Sequence, residues 1–115
     1  MDRDCIFCKI RDGQIPAKKL YEDDLCFAFA DISPQAPLHA LVVPRRHIAT
    51  VNDLEAADEP LAGRMITTAA RIAREAGYAD EGYRTLFNCN RGAGQTVWHV
   101  HLHVLGGRPL SWPPG

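Results

Sequence analysis

The sequence predicts an α+β fold: a five-stranded antiparallel sheet with one long helix and one short helix, in a single domain spanning 1–115. Three observations predict it. Five short stretches carry strand-like alternation or compact apolar runs, and short turns connect several of them. One stretch, from about Asp58 to Ala76, repeats apolar residues at helical spacing over several turns. A chain of 115 residues leaves no room for a second domain, and repeats or low-complexity segments are absent.

Cys5 to Arg11 reads as the short helix, with Ile6, Phe7 and Ile10 as its apolar positions and Gly13 ending it. Lys18 to Glu22 is a short strand, Glu22-Asp23-Asp24 a turn, and Leu25 to Ile32 a second strand, together a hairpin. In the second strand Leu25, Phe27 and Phe29 share one face, and the small residues Cys26, Ala28 and Ala30 share the other. Ser33 to Pro37 is a loop, because its two prolines do not fit a central strand. His39 to Pro44 is a third strand. Arg45-Arg46-His47 is a basic turn, read as solvated surface rather than a nucleic-acid patch. Asp58-Glu59-Pro60 combines an N-cap residue, an acidic first turn and an early proline, and Gly77 stops the helix. Leu61, Met65, Ala69, Ile72 and Ala76 form one stripe. Ala62, Ile66, Ala70 and Ala73 form a second, a candidate partner surface. Tyr83 to Asn88 is a fourth strand, Cys89 to Thr96 a loop, and His99 to Leu105 the fifth strand.

A net charge of −1 argues against charge-driven binding to nucleic acid or a membrane surface. The charged start leads into no apolar run, and no spanning segment follows, so the expected location is the cytoplasm. In such a compartment Cys5, Cys8, Cys26 and Cys89 are thiols or metal ligands.

The chemistry concentrates in the last strand. Its period of two puts Val100, Leu102 and Val104 toward a core and His99, His101 and His103 on the other face. Three rings in a row are hard to explain as packing, because each has polar nitrogens that need partners. His101, flanked on both sides, is the best nucleophile candidate, provided its ring is neutral and its second nitrogen donates to an acceptor. A zinc site on the three histidines is the competing reading. The preceding Gly92-Ala93-Gly94-Gln95-Thr96 lacks a P-loop pattern, yet its glycines allow backbone N–H groups close to an anion and Thr96 adds a hydroxyl. Asp31 is an acceptor-only carboxylate or a turn cap. Cys5-Ile6-Phe7-Cys8 leaves open a redox pair, half a zinc site or coincidence.

His99 to Leu105 resembles the signature of the histidine triad (HIT) superfamily of nucleotide hydrolases and transferases. Asp31-Ile32-Ser33-Pro34-Gln35-Ala36-Pro37-Leu38-His39 and the tail ending Trp112-Pro113-Pro114-Gly115 resemble its Hint branch, so the likeness runs from about Cys5 to Gly115. The resemblance implies the same HIT-like fold, with His101 transiently nucleotidylated, His103 serving phosphate oxygens, and His99 and His39 as supporting members. It implies phosphate contacts from Asn88, Thr96 and the Gly94 backbone, within a loop that includes Gln95. Asp31 would bind the ribose hydroxyls, and Ile6, Phe7, Ile10, Phe29, Ile32 and Leu41 would hold the purine. Ala30 departs from branch members that carry a histidine there.

Members with this cysteine pair can bind a structural zinc, which here implies Cys5, Cys8, His47 and His99, with no metal needed for catalysis. The branch further implies a homodimer with a continuous two-subunit sheet, and Trp112 near the partner's site. The implied activity is cleavage of the P–N bond of purine nucleoside 5′-phosphoramidates of the AMP-lysine or aminoacyl-adenylate type. A non-catalytic nucleotide-binding partner protein is the alternative from another class.

Overall fold

The computed structural model describes residues 4–115. Two helices, α1 (Ile6–Arg11) and α2 (Glu59–Glu75), accompany five strands. The strands are β1 (Lys19–Glu22), β2 (Cys26–Ala30), β3 (Leu38–Pro44), β4 (Tyr83–Phe87) and β5 (Leu102–Gly106). They form one sheet in the order β1-β2-β3-β5-β4, with every neighbouring pair antiparallel. Short 3-10 turns absent from the sequence reading occupy Val51–Asp53, Ala56–Asp58 and Arg91–Ala93.

Side-chain size decides which helix covers which face. Cys26, Ala28, Ala40 and Val42 make one face low, and α2 packs onto it through Met65, Ala69, Ile72 and Ala73. Leu102 and Val104 of β5 join that core, with Val100 just before them. The other face carries Phe27, Phe29, Leu41 and Val43, which cluster with Phe7, Cys8 and Ile10 of α1. Phe7 meets Phe29 edge-on at 5.4 Å between centroids.

Several expected boundaries move for identifiable reasons. β5 begins at Leu102 rather than His99, because the Val100 N–H donates to the Ile48 carbonyl (2.7 Å) instead of joining a strand ladder. β2 stops at Ala30, short of Ile32. Beyond it the Asp31 carboxylate accepts the Ser33 N–H at 2.8 Å and turns the chain. Asp58 does not cap α2 with its side chain. Its carboxylate turns back to the Glu55 N–H (2.9 Å) and to Arg46. The main stripe of α2 is buried except for Ala76, which lies past the last turn and is exposed. In the second stripe Ala73 is buried, whereas Ile66 is 54% exposed. Among the described residues no helix is long and apolar enough to cross a membrane.

β5 therefore lies between β3 and β4, and its register sets His103 opposite Leu41 on one side and Leu86 on the other. The triad is delivered at the entry to this strand, on the face that α1 covers.

Candidate functional site

A cavity of about 370 Å³ opens between α1, β2, β3 and the approach to β5. Ile6, Phe7 and Ile10 of α1 form one wall, and Phe29 and Leu41 of the sheet form the floor. Asp31 and Ile32 stand at the end of β2, with Ile32 92% exposed on the rim. His101 and His103 close the polar end together with Asn88, Gly94 and Thr96. Two larger surface recesses, near 490 and 420 Å³, contain neither His101 nor His103.

The hydrogen bonds fix the protonation of these rings. His101 Nδ1 lies 2.8 Å from the His99 carbonyl oxygen, which only accepts, so Nδ1 carries the proton and Nε2 keeps its lone pair. His39 Nδ1 accepts the Gln35 N–H at 3.0 Å, so its proton sits on Nε2. That nitrogen donates to His103 Nδ1 at 2.9 Å, leaving the His103 proton on Nε2. The Asp31 carboxylate stands 3.5 Å from the same His39 nitrogen. Burial lowers the pKa of all three rings, overriding the opposing pull of Asp31. His103 falls to about 4, with its His101 and His39 neighbours adding to the effect of burial. The rings are thus neutral near pH 7, with His101 and His103 centroids 5.0 Å apart.

His99 departs from the expected row. It is fully buried and turned off the cavity, and it meets the site through the carbonyl that holds His101. Its Nε2–H donates to the Pro44 carbonyl (2.8 Å). Its Nδ1 faces Cys5 Sγ at 3.3 Å and Cys8 Sγ at 3.5 Å. His47 Nδ1 lies 3.4 Å from Cys8 Sγ, and the four donor atoms fall within 4.8 Å of one another. A tetrahedral zinc with bonds of about 2.3 Å to sulfur and about 2.0 Å to nitrogen spaces S and N by roughly 3.5 Å, so this donor set fits the ion. Burial lowers the His99 pKa to about 4, which keeps Nδ1 in the unprotonated form that a metal requires. Cys5 also caps α1, accepting the Cys8 N–H at 3.4 Å, so helix and donor set share one anchor.

One further expectation is corrected. Gln95 does not line the cavity. It is buried, its amide N–H groups donate to the Ala49 (2.8 Å) and Val97 (3.0 Å) carbonyls, and its oxygen accepts the Asn90 N–H (2.8 Å). A loop that needs positive φ at Asn90 (70°) and Gly94 (92°) is held in shape by this one side chain. Trp112 is 82% exposed and contributes nothing to the cavity of its own chain. His39 lies behind His103 rather than on the cavity surface.

The sequence reading missed Ile15, Pro16, Ala17 and Val97, which also line the cavity. Their available signal was an apolar Ile-Pro-Ala between Gly13 and Lys18, and Val97 beside Thr96. Neither has a period.

The HIT domain family model matches residues 12–110, and the chain belongs to the HIT family. It is 54% identical over 111 residues to the Escherichia coli K12 protein named purine nucleoside phosphoramidase, covering 96% of this chain and 93% of that one. An uncharacterised HIT-like protein of Synechococcus elongatus is 50% identical over 115 residues, the full length of both. Among solved structures, a HIT family hydrolase from Legionella pneumophila superposes with a TM-score of 0.94 at 50% identity, covering 96% of this chain and 99% of that one. A histidine triad protein from Clostridium difficile gives 0.90 at 42% identity, with 94% of each chain covered.

Proposed function

We propose that this chain hydrolyses the P–N bond of purine nucleoside 5′-phosphoramidates of the AMP-lysine type, and by the same attack on phosphorus the P–O bond of aminoacyl-adenylates, through a nucleotide bound covalently to His101. The observation that carries the reading is the protonation pattern: His101 has a free Nε2 lone pair at the polar end of an apolar slot, beside an Nε2–H donor on His103. The 54% identity to a protein named for this activity supports it. A volume of about 370 Å³ falls within the range of small-molecule sites.

In the first step His101 Nε2 attacks phosphorus, the P–N bond breaks, and the leaving amine takes up a solvent proton, which the water of the second step returns. The His101 Nδ1–H stays on the His99 carbonyl, which supports the developing imidazolium. His103 Nε2–H, Thr96 and backbone N–H groups around Gly94 bind the phosphoryl oxygens, with Asn88 beside them. Water then attacks phosphorus and loses a proton, the P–Nε2 bond breaks, and the nucleoside monophosphate leaves. Ile6, Phe7, Ile10, Phe29, Ile32 and Leu41 clasp the purine, and Asp31 accepts from the ribose hydroxyls.

Cys5, Cys8, His47 and His99 would hold a structural Zn²⁺. That ion would supply rigidity where His99 supports His101, and no step of the reaction needs it. We place the protein in the cytoplasm, where cysteine donors stay reduced, and its near-zero charge gives no basis for a nucleic-acid or membrane partner. We further propose a homodimer. β4 is an edge strand, and Ile66 and Trp112 are large apolar side chains left exposed, a combination that a two-fold contact would cover. Turnover of adenosine 5′-phosphoramidate by metal-free and zinc-loaded protein tests the activity and its independence of metal together.

A further inference from the structure

The hydrogen bonds behind His103 do not end at His39. His103 Nδ1 accepts from His39 Nε2 (2.9 Å), and His39 Nδ1 accepts from the Gln35 N–H (3.0 Å). The Gln35 carbonyl in turn accepts from Arg108 Nε at 2.8 Å. Arg108 stands two residues beyond β5, the strand that carries His103, so the path leaves the site and returns to the same strand. Gly107 makes the return possible. Its φ is +94°, and a Cβ there would sit 2.8 Å from both the Pro37 Cβ and the Tyr78 hydroxyl. The tail can therefore run against Pro37 and lay the guanidinium on Gln35. A second guanidinium nitrogen, Nη1, donates to the Pro109 carbonyl at 3.1 Å, which aims the fork. The Gln35 side chain donates within its own loop, to the Ser33 carbonyl at 3.0 Å.

This placement matters because a neutral imidazole has two tautomers and its partners choose between them. The Gln35 N–H forces the His39 proton onto Nε2. If that N–H swings away, only the Asp31 carboxylate, 3.5 Å from Nε2, still favours the Nε2 proton, so the Nδ1–H tautomer of His39 gains population, and in it Nε2 is an acceptor. His103 must then protonate Nδ1, and its Nε2 faces the cavity as a lone pair instead of a donor. A displaced loop would thus turn a phosphate-binding N–H into a group that repels phosphate oxygens.

We propose that Arg108 is a positioning residue: by holding the Gln35 backbone it fixes the tautomers of His39 and His103 for phosphoryl transfer. The catalytic half rests on the reading of His103 given above, whereas the tautomer link does not. The test is Arg108→Met, which keeps much of the stem of an exposed side chain and opens no core cavity. Nitrogen-15 spectra of the imidazole rings at neutral pH report the tautomers. The parent protein should show Nε2–H on His39 and His103, and the variant should show both moving toward tautomeric averaging. With adenosine 5′-phosphoramidate, kcat should fall on the order of tenfold while KM changes less than about twofold, because a donor is loosened and not deleted. Unchanged imidazole signals would overturn the link. Changed signals with parental kcat would overturn the catalytic role. A parent protein without turnover would count against the phosphoramidase reading alone, and the spectra would still decide the link.

Discussion

Replacing Asp31 by Asn isolates the proposed ribose contact. The change is nearly isosteric, and Asn retains an oxygen for the Ser33 N–H, now 2.8 Å from Asp31 Oδ1. The other oxygen becomes an amide NH₂. It then lies 3.5 Å from His39 Nε2, which already carries a proton, and it faces the ribose as a donor. Two ribose hydroxyls would lose an ionised acceptor. A hydrogen bond to a charged group contributes about 1.5–3 kcal/mol, so kcat/KM should fall roughly 10- to 150-fold. Folding stability should change by less than about 1 kcal/mol, because the half-buried side chain keeps its turn bond. The assay is a cycle: parent and Asp31→Asn, each with the ribo- and the 2′,3′-dideoxy-adenosine phosphoramidate. The dideoxy substrate should be poor for the parent, and the variant should discriminate far less between the two sugars. Equal loss on both substrates would refute a direct sugar contact and point instead to the His39 side of Asp31.

Protein prepared in reducing buffer without chelators should carry up to one zinc per chain by elemental analysis. Cys8→Ser should abolish it and lower the thermal midpoint, and zinc-free parent protein would defeat the assignment. Stability of metal-free protein should fall as pH drops. His39, His101 and His103 have lowered pKa values in the folded state, so below about 6.5 the unfolded chain takes up protons first. The loss should run from about pH 6.5 down to about 4, where His103 itself titrates, and urea midpoints that stay flat across that window would contradict the burial of the triad. Light scattering at micromolar concentration should give a dimer. Truncation before Ser111 should change the preference among leaving groups while leaving the dimer mostly intact; a monomer would sink the first expectation, and unchanged kinetics the second.

Much of this fold was legible because alternation and residue size act locally. The contrast of Phe27 and Phe29 with Cys26 and Ala28 assigns the two sheet faces, and α2 packs on the small one. The triad was legible for the same reason. What stayed hidden depends on contacts distant in sequence. Nothing near Val100 announces that its N–H will bond to Ile48, so the start of β5 was read three residues early. Gln95 beside Gly94 and Thr96 has the composition of a phosphate loop, and only the packed loop reveals that its amide is used internally. The Cys-x-x-Cys was ambiguous on spacing alone, since its histidine partners lie 39 and 91 positions from Cys8. Ile15 to Ala17 line the cavity without any periodic signal.

The central claim is that His101 Nε2 becomes bonded to phosphorus. Protein turning over adenosine 5′-phosphoramidate can be denatured without acid, which spares a phosphorus–imidazole bond, then digested and mapped by mass spectrometry. The account predicts one adenylyl group on the peptide containing His101, lost in His101→Ala along with turnover, while AMP binding by calorimetry largely persists. Rapid turnover with no adduct on any histidine, or an adduct on His99 or His103 that survives His101→Ala, would contradict it.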